Sequence, residues 1–270
     1  MKRSWLVLSP HFDDAVLSIP LWMSQQVDKG DRVLVATLFS AAAPNDATIM
    51  KIRQAEDNQA MEILGCESVS LGFTDAPYRS PPRTSFCPIV FDGIGADQPL
   101  ITSLQGAIGE LAIQYPDTQI VAPMAVGTHI DHRLTFLASA SCAHYFYEDR
   151  PYALIRGAVK HRLGQLGAGP RLDEKEMSEY VKDYLLAGYV QSFLADNEIP
   201  RVKHLLQASN NPAKASLQVK PRSVEATNYK QAQQAGRAIK AYTSQIDGLF
   251  PTGIETFWTN EILWEQIAGS

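Results

Sequence analysis

The chain has 270 residues, 45% of them hydrophobic and 20% charged, with Lys+Arg 24 against Asp+Glu 29. That balance suits a packed globular protein and excludes a disordered or fibrous one. A formal charge of −5, with no block of like charges, argues against an electrostatic grip on nucleic acid or anionic membrane.

Near the N-terminus, Lys2-Arg3 and the apolar Trp5-Leu6-Val7-Leu8 imitate a signal peptide. The run then breaks at Pro10-His11 and meets Asp13-Asp14, too early for a signal-peptide core. No 18-residue apolar stretch occurs elsewhere. Cys66, Cys87 and Cys142 lie outside any CxxC and read as reduced thiols. The expectation is a cytoplasmic protein with no membrane span.

Residues 5–9 read as a buried strand, and 14–27 as a helix that stops near Gly30. A second strand over 32–39 precedes a helix over 49–64 that ends at Gly65. Residues 68–73 form a third strand. The proline-rich stretch 76–99 is a long irregular loop of the kind that often serves as a lid or wall. A helix over 104–115, a strand over 119–122, a helix over 131–147 and a strand over 152–159 follow. Beyond these, 174–195 and 228–246 look helical, and 207–224 reads as loop or hairpin. Strands alternating with helices predict an α/β fold, a mostly parallel sheet with helices on both faces. With no long linker and no repeat, one domain over 1–270 is expected, its core in 1–160 and its C-terminal elements in 161–270 built onto that core.

Ligands of open α/β sheets sit at the carboxyl ends of the strands. Two of those loops carry His and Asp at metal-ligand density: Pro10-His11-Phe12-Asp13-Asp14 and Thr128-His129-Ile130-Asp131-His132-Arg133. Each has a plain structural alternative, since Asp13, Asp14 or Asp131 can cap the following helix, and His129 and His132 can form a surface pair. Together they hold the components of metal-assisted amide hydrolysis. Two His and a carboxylate suit a catalytic metal with an open position, another carboxylate can move protons, and a further His can meet an oxyanion. No GxGxxG or GxxxxGK[ST] follows a predicted strand, which argues against a nucleotide-dependent enzyme.

These two motifs resemble the paired PHPDD and HPDHR signatures of the PIG-L/LmbE-like family of zinc-dependent de-N-acetylases. Weaker resemblances lie at Arg53-x-x-Glu56-x-x-x-Ala60-x-x-x-Leu64-Gly65, at Leu71–Asp75 and at Ala241-Tyr242-Thr243-Ser244-Gln245. The resemblance implies a Rossmann-like fold and removal of an N-acetyl or other N-acyl group from an amino sugar or a small glycosylated intermediate. It implies His11, Asp14 and His132 as ligands of Zn²⁺, with Fe²⁺ and other divalent ions admissible for such a set. Asp13 matches the general base and His129 the residue that stabilises the oxyanion. Asp131 matches the carboxylate that pairs with that His and keeps it protonated. Arg53 and Asp75 match contacts to sugar hydroxyls, although Arg53–Glu56 also reads as a surface ion pair and Asp75 as a turn residue.

Phe12 and Ile130 replace the usual prolines, Ala15 a common Glu, and Tyr242 the usual His. A bulky Phe12 beside the loop points to a substrate other than a simple sugar. The expected partners are a small N-acetylated substrate and a second copy of the chain. The competing reading is a non-catalytic metal or small-molecule binding protein on the same fold.

Overall fold

The computed structural model describes residues 2–80, 82–210, 216–251 and 260–267. Strand β1 (Ser4–Ser9) is buried over five of its six residues, as its unbroken apolar run requires of a strand covered on both faces. The chain continues through helices α1 (Asp14–Ser18) and α2 (Pro20–Asp28), strand β2 (Arg32–Thr37) and helix α3 (Ala47–Leu64). Strand β3 (Glu67–Ser70), helices α4 (Phe86–Val90) and α5 (Gln98–Gln114), strand β4 (Thr118–Pro123) and helix α6 (Ile130–Ser139) follow. Strand β5 (Tyr145–Tyr147) leads to helices α7 (Ala158–Gln165), α8 (Glu174–Leu186), α9 (Gly188–Phe193) and α10 (Ile199–Ala208). Strand β6 (Val219–Glu225), helices α11 (Tyr229–Lys240) and α12 (Ile246–Leu249) and strand β7 (Asn260–Gln266) close the described chain.

The described strands form one mixed, mostly parallel sheet in the order β3-β2-β1-β4-β5-β7-β6. The first five run parallel, and β7 pairs antiparallel with both β5 and β6. From β1 the chain moves outward to β2 and β3, then returns to lay β4 on the other side of β1. The loops after β1 and β4 therefore open beside each other at the switch point, where such sheets bind ligands. The register pairs Leu6 with Ile120 and Val7 with Val121, so the two strands end at the same rim.

Several boundaries differ from the sequence reading. The helix expected over 14–27 breaks at Ile19, because Pro20 takes a first-turn position in a new helix. The helix expected over 131–147 stops at Ser139, and its aromatic end Tyr145-Phe146-Tyr147 pairs with β4 as strand β5. Residues 152–159 are not a strand. Tyr152–Leu154 is a 3-10 turn, and a new helix starts after Gly157, which sits at φ +87°. The 76–99 stretch contains α4 and folds against the sheet, with Phe86, Cys87 and Val90 buried. In 207–224, α10 runs to Ala208 and β6 begins at Val219, while Pro212 lies outside the described residues. The helix expected over 174–195 divides at Ala187 into α8 and α9. Strand β7 was not anticipated. Among the described residues, no helix is long and apolar enough to cross a membrane.

Gly127, in the loop after β4, sits at φ +83°, and a Cβ added there would lie 2.3 Å from the Tyr152 ring. Gly127→Ala is expected to destabilise the fold by about 1–3 kcal/mol from backbone strain alone, before the clash is counted. Gly106→Ala, in α5 where a Cβ meets nothing within 4 Å, should stabilise it by about 0.5–1 kcal/mol. Urea unfolding of the two variants checks both signs.

Candidate active site

The turn after β1 is built from its own side chains. The Ser9 hydroxyl donates to the His11 carbonyl and accepts from Ala15 N–H, while Asp14 Oδ2 accepts from His11 N–H at 2.8 Å. Asp13 stands at the N-cap position of α1, but its side chain makes no capping hydrogen bond. The loop after β4 holds Ala125, Gly127 and Thr128 at positive φ. It is fastened by Val126 N–H to Asp149 Oδ2 (2.9 Å) and by the Thr128 hydroxyl to the Val90 carbonyl (3.1 Å). Non-glycine residues in that region are strained, and such strain is characteristic of functional loops.

These turns bring His11, Asp14 and His132 together, with one ligand atom from each within 4.8 Å of the others. Asp14 Oδ2 lies 3.1 Å from His11 Nδ1 and 3.2 Å from His132 Nε2. His132 is fully buried, and its Nε2 faces the Asp14 oxygen without the alignment of a hydrogen bond. Its Nδ1 lies 2.7 Å from Asp149 Oδ1, a carboxylate–histidine arrangement that aims the other ring nitrogen at a metal. Burial opposes a charge on His132, yet Asp14 and Asp149 outweigh it and hold the ring up to about 9. At His11 burial is likewise outweighed, by Asp75 with Asp131 and Asp14, and its pKa stands well above the ordinary value. A pocket that stabilises two imidazolium charges also favours a divalent cation. The buried Nε2 turned toward the converging Asp14 oxygen and the all-N/O donor set fit a catalytic zinc-type site. His144, His161 and His204 lie elsewhere: His144 Nδ1 accepts from Ile120 N–H, His161 packs at a tilt against Tyr180, and His204 is on α10.

Asp13 and His129 line the same cavity, about 430 Å³ in volume, together with His11, Asp14, Arg53 and Asp75. Burial, with the Asp14 charge adding to it, pushes the Asp13 carboxyl up to about 6. His129 is the N-cap of α6, and its Nδ1 accepts from Asp131 N–H at 3.2 Å. The ring proton is then on Nε2. Burial and the facing His11 keep this ring well below its ordinary pKa, so it is a neutral imidazole.

The expected pairing of the Asp131 carboxylate with His129 is not what the structure shows. Asp131 Oδ2 faces His11 Nε2 at 3.2 Å and accepts from Ala76 N–H at 3.0 Å, and Oδ1 forms an ion pair with Arg79 Nη2 at 2.6 Å. Three partners on other segments outcompete the neighbouring ring. His11 therefore keeps a proton on Nε2 and presents Nδ1 to Asp14. Arg79 is placed by ion pairs through Asp97 to Arg83, at 3.1 and 2.6 Å. A second group, His11, His129 and Asp131, also brings ligand atoms within 4.8 Å.

Arg53 reaches Asp75, Nη1 to Oδ2 at 3.9 Å, and both line the cavity. Glu56 is buried rather than paired on the surface. Its carboxylate accepts from Thr243 Oγ1, Ser244 N–H and Ser244 Oγ, at 2.7–2.8 Å, which docks the 241–245 segment onto α3. Tyr242 OH lies 3.0 Å from the Phe12 carbonyl and 2.7 Å from Asp57 Oδ1. The Tyr242 hydroxyl has one hydrogen to donate, shared between the Asp57 carboxylate oxygen and the Phe12 carbonyl, both of them acceptors. Burial pushes the Asp57 carboxyl up to about 7, against the opposing effect of the hydrogen bond from Tyr242. The Phe12 ring is buried in the core with Val16 and Tyr242, behind the loop, so it does not select substrate as its bulk suggested. Asp149, Arg79, Asp57 and the tethering role of Glu56 all escaped the sequence reading.

Residues 6–143 match the family model PIG-L, GlcNAc-PI de-N-acetylase, just over half of the 270 residues. The chain belongs to this family. A deacetylase of teicoplanin biosynthesis, solved as a bog complex, matches at TM-score 0.66 and 20% identity over 99% of this chain and 100% of its own. The A40926 pseudoaglycone deacetylase Dbv21 matches at TM-score 0.60 and 21% identity, over 100% and 98%. The zinc-inhibited form of teicoplanin deacetylase Orf2 matches at TM-score 0.66 and 19% identity, over 99% and 100%. At these identities the shared property is the fold. No curated protein sequence matches the chain.

Two variants probe the supports of this PIG-L site. Asp149→Asn, which weakens the acceptor behind His132, should lower metal affinity by about 10–100-fold in calorimetric titration. Tyr242→Phe leaves the Phe12 carbonyl and Asp57 without their shared partner and should cost about 1–3 kcal/mol of unfolding free energy.

Proposed function

We propose that this PIG-L family member is a metal-dependent N-deacylase of an amino sugar or a small glycosylated compound, with zinc as the metal. The observation that carries this reading is the convergence of His11, Asp14 and the buried His132 Nε2 beside two cavity-lining groups, Asp13 and His129. Metal binding alone requires neither of the last two, which speaks against a protein that merely binds. The teicoplanin and A40926 pseudoaglycone deacetylases that share the fold are in keeping with such a substrate.

His11, Asp14 and His132 would hold the ion. When bound, it supplies Lewis-acid activation of the amide carbonyl and of water. Asp13, with its carboxyl raised to about 6, is ionised near neutral pH yet basic enough to take a proton from the attacking water and return it to the leaving nitrogen. His129 turns Nε2–H toward the carbonyl oxygen as negative charge develops there, and a neutral imidazole suffices for that donation. Asp131 and Arg79 act one step back, holding His11 in the tautomer that offers Nδ1. Arg53 and Asp75 supply a donor and an acceptor for sugar hydroxyls. Water adds to the carbonyl carbon, the C–N bond breaks, and a carboxylate and a free amine leave.

Metal-loaded protein should release free amine from N-acetylglucosamine glycosides. Asp13→Asn should retain the metal and lose about 10²–10⁴ in kcat, and His129→Ala should retain it and lose about 10²–10³. Wild-type rates in Asp13→Asn would contradict the assignment of the base.

A further inference from the structure

The cavity has two chemically different ends. Beyond His11 lies the polar one, where Asp75 Oδ1 is 3.4 Å from His11 Nε2 and Arg53 follows. Beyond His132 lies an aromatic one. The Tyr152 ring meets the His132 ring edge-on at 5.5 Å, and Tyr189 meets Tyr152 edge-on at 5.0 Å. Phe86 and Ile89 of α4, Phe193 of α9 and Leu249 of α12 continue this wall within the same cavity. Asp14 lies between, touching both histidines.

A trans amide sends its two substituents in opposite directions. With the carbonyl at the ligand cluster and the amino sugar against Arg53 and Asp75, the acyl group runs the other way, toward the cavity-lining Tyr152 and Tyr189. An acetyl group offers that wall a single methyl. The cavity, about 430 Å³, falls in the range that encloses a drug-sized ligand. Phe193, which lines the same cavity, is 60% exposed, an apolar ring that a longer chain would cover.

We propose that the acyl group this enzyme removes is an unbranched chain longer than acetyl, about four to eight carbons, seated on the aromatic end of the cavity. This rests on the N-deacylase reading and on Arg53 and Asp75 marking the sugar side. The chemistry is unchanged: water adds, the C–N bond breaks, and the products are a fatty carboxylate and the amino sugar.

The test compares glucosamine bearing acetyl, butanoyl, hexanoyl and octanoyl groups with metal-loaded full-length protein, reading free amine. kcat/KM should rise about three- to fourfold per methylene through hexanoyl. Phe193→Asp and Ile89→Asn should each lower the hexanoyl-to-acetyl ratio by about tenfold or more. Octyl and methyl glycosides of N-acetylglucosamine form the second arm, and a gain that follows the glycoside rather than the acyl chain overturns the proposal. Binding of acetate, hexanoate and octanoate, followed by calorimetry, needs no turnover, and hexanoate should bind at least about tenfold tighter than acetate. Acetyl as the best substrate, with no chain-length dependence in carboxylate binding, overturns the acyl chamber while the deacylase reading stands. Failure to cleave any amide defeats the deacylase reading, and carboxylate binding then decides the chamber by itself.

Discussion

The parallel pairing of β1 with β4 is the constraint on which the site depends. Hydrogen bonding sets Leu6 beside Ile120 and Val7 beside Val121, and from that register the turns at 9–14 and 124–132 must leave the sheet side by side. His11 and Asp14 come from one turn and His132 from the other, 118 positions away in the chain. Neither turn can hold a metal by itself. A one-residue slip would send every side chain of the strand to the opposite face.

Holding those turns in place requires counter-charges that the two motifs do not contain. Asp13, Asp14, Asp75 and Asp131 crowd around three histidines, and the crowd is stable because each carboxylate has a cation or N–H partner within reach or is pushed toward protonation. Asp131 rests on Arg79 and Ala76 N–H, and Asp149 sits behind His132. The proline-rich 76–99 stretch therefore contributes more than a lid. It carries Arg79 to Asp131 and Asp97 to Arg79, and with α4 it builds the apolar wall of the cavity. Loop, charge network and substrate wall are one element.

The alternating strands and helices of the first 125 residues are legible in the sequence because buried parallel strands read as apolar runs and amphipathic helices as periodic ones. After residue 139 that contrast fades. Tyr145-Phe146-Tyr147 continues a helical pattern but pairs as a strand, and β7 carries the mixed pattern of a half-covered antiparallel strand. In the site, His11, Asp13, Asp14, His129 and His132 are readable because they cluster within two short motifs. Asp149, Arg79 and Asp57 are single charged residues whose partners lie 17, 52 and 185 positions away. No spacing rule finds such pairs. Asp131 was found by position but given the wrong partner, since the ring two residues earlier is bonded by its backbone N–H and not by its carboxylate.

Two sets of side chains could hold a metal ion, His11–Asp14–His132 and His11–His129–Asp131, and the division of labour proposed for Asp13 and His129 holds only for the first. Anomalous diffraction at the zinc edge on metal-loaded crystals distinguishes them directly. The assignment predicts a single peak with protein ligand distances of about 2.0–2.2 Å to His11, Asp14 and His132, and His129 outside the coordination sphere. A peak ligated by His129 and Asp131, with His132 unbound, would contradict it.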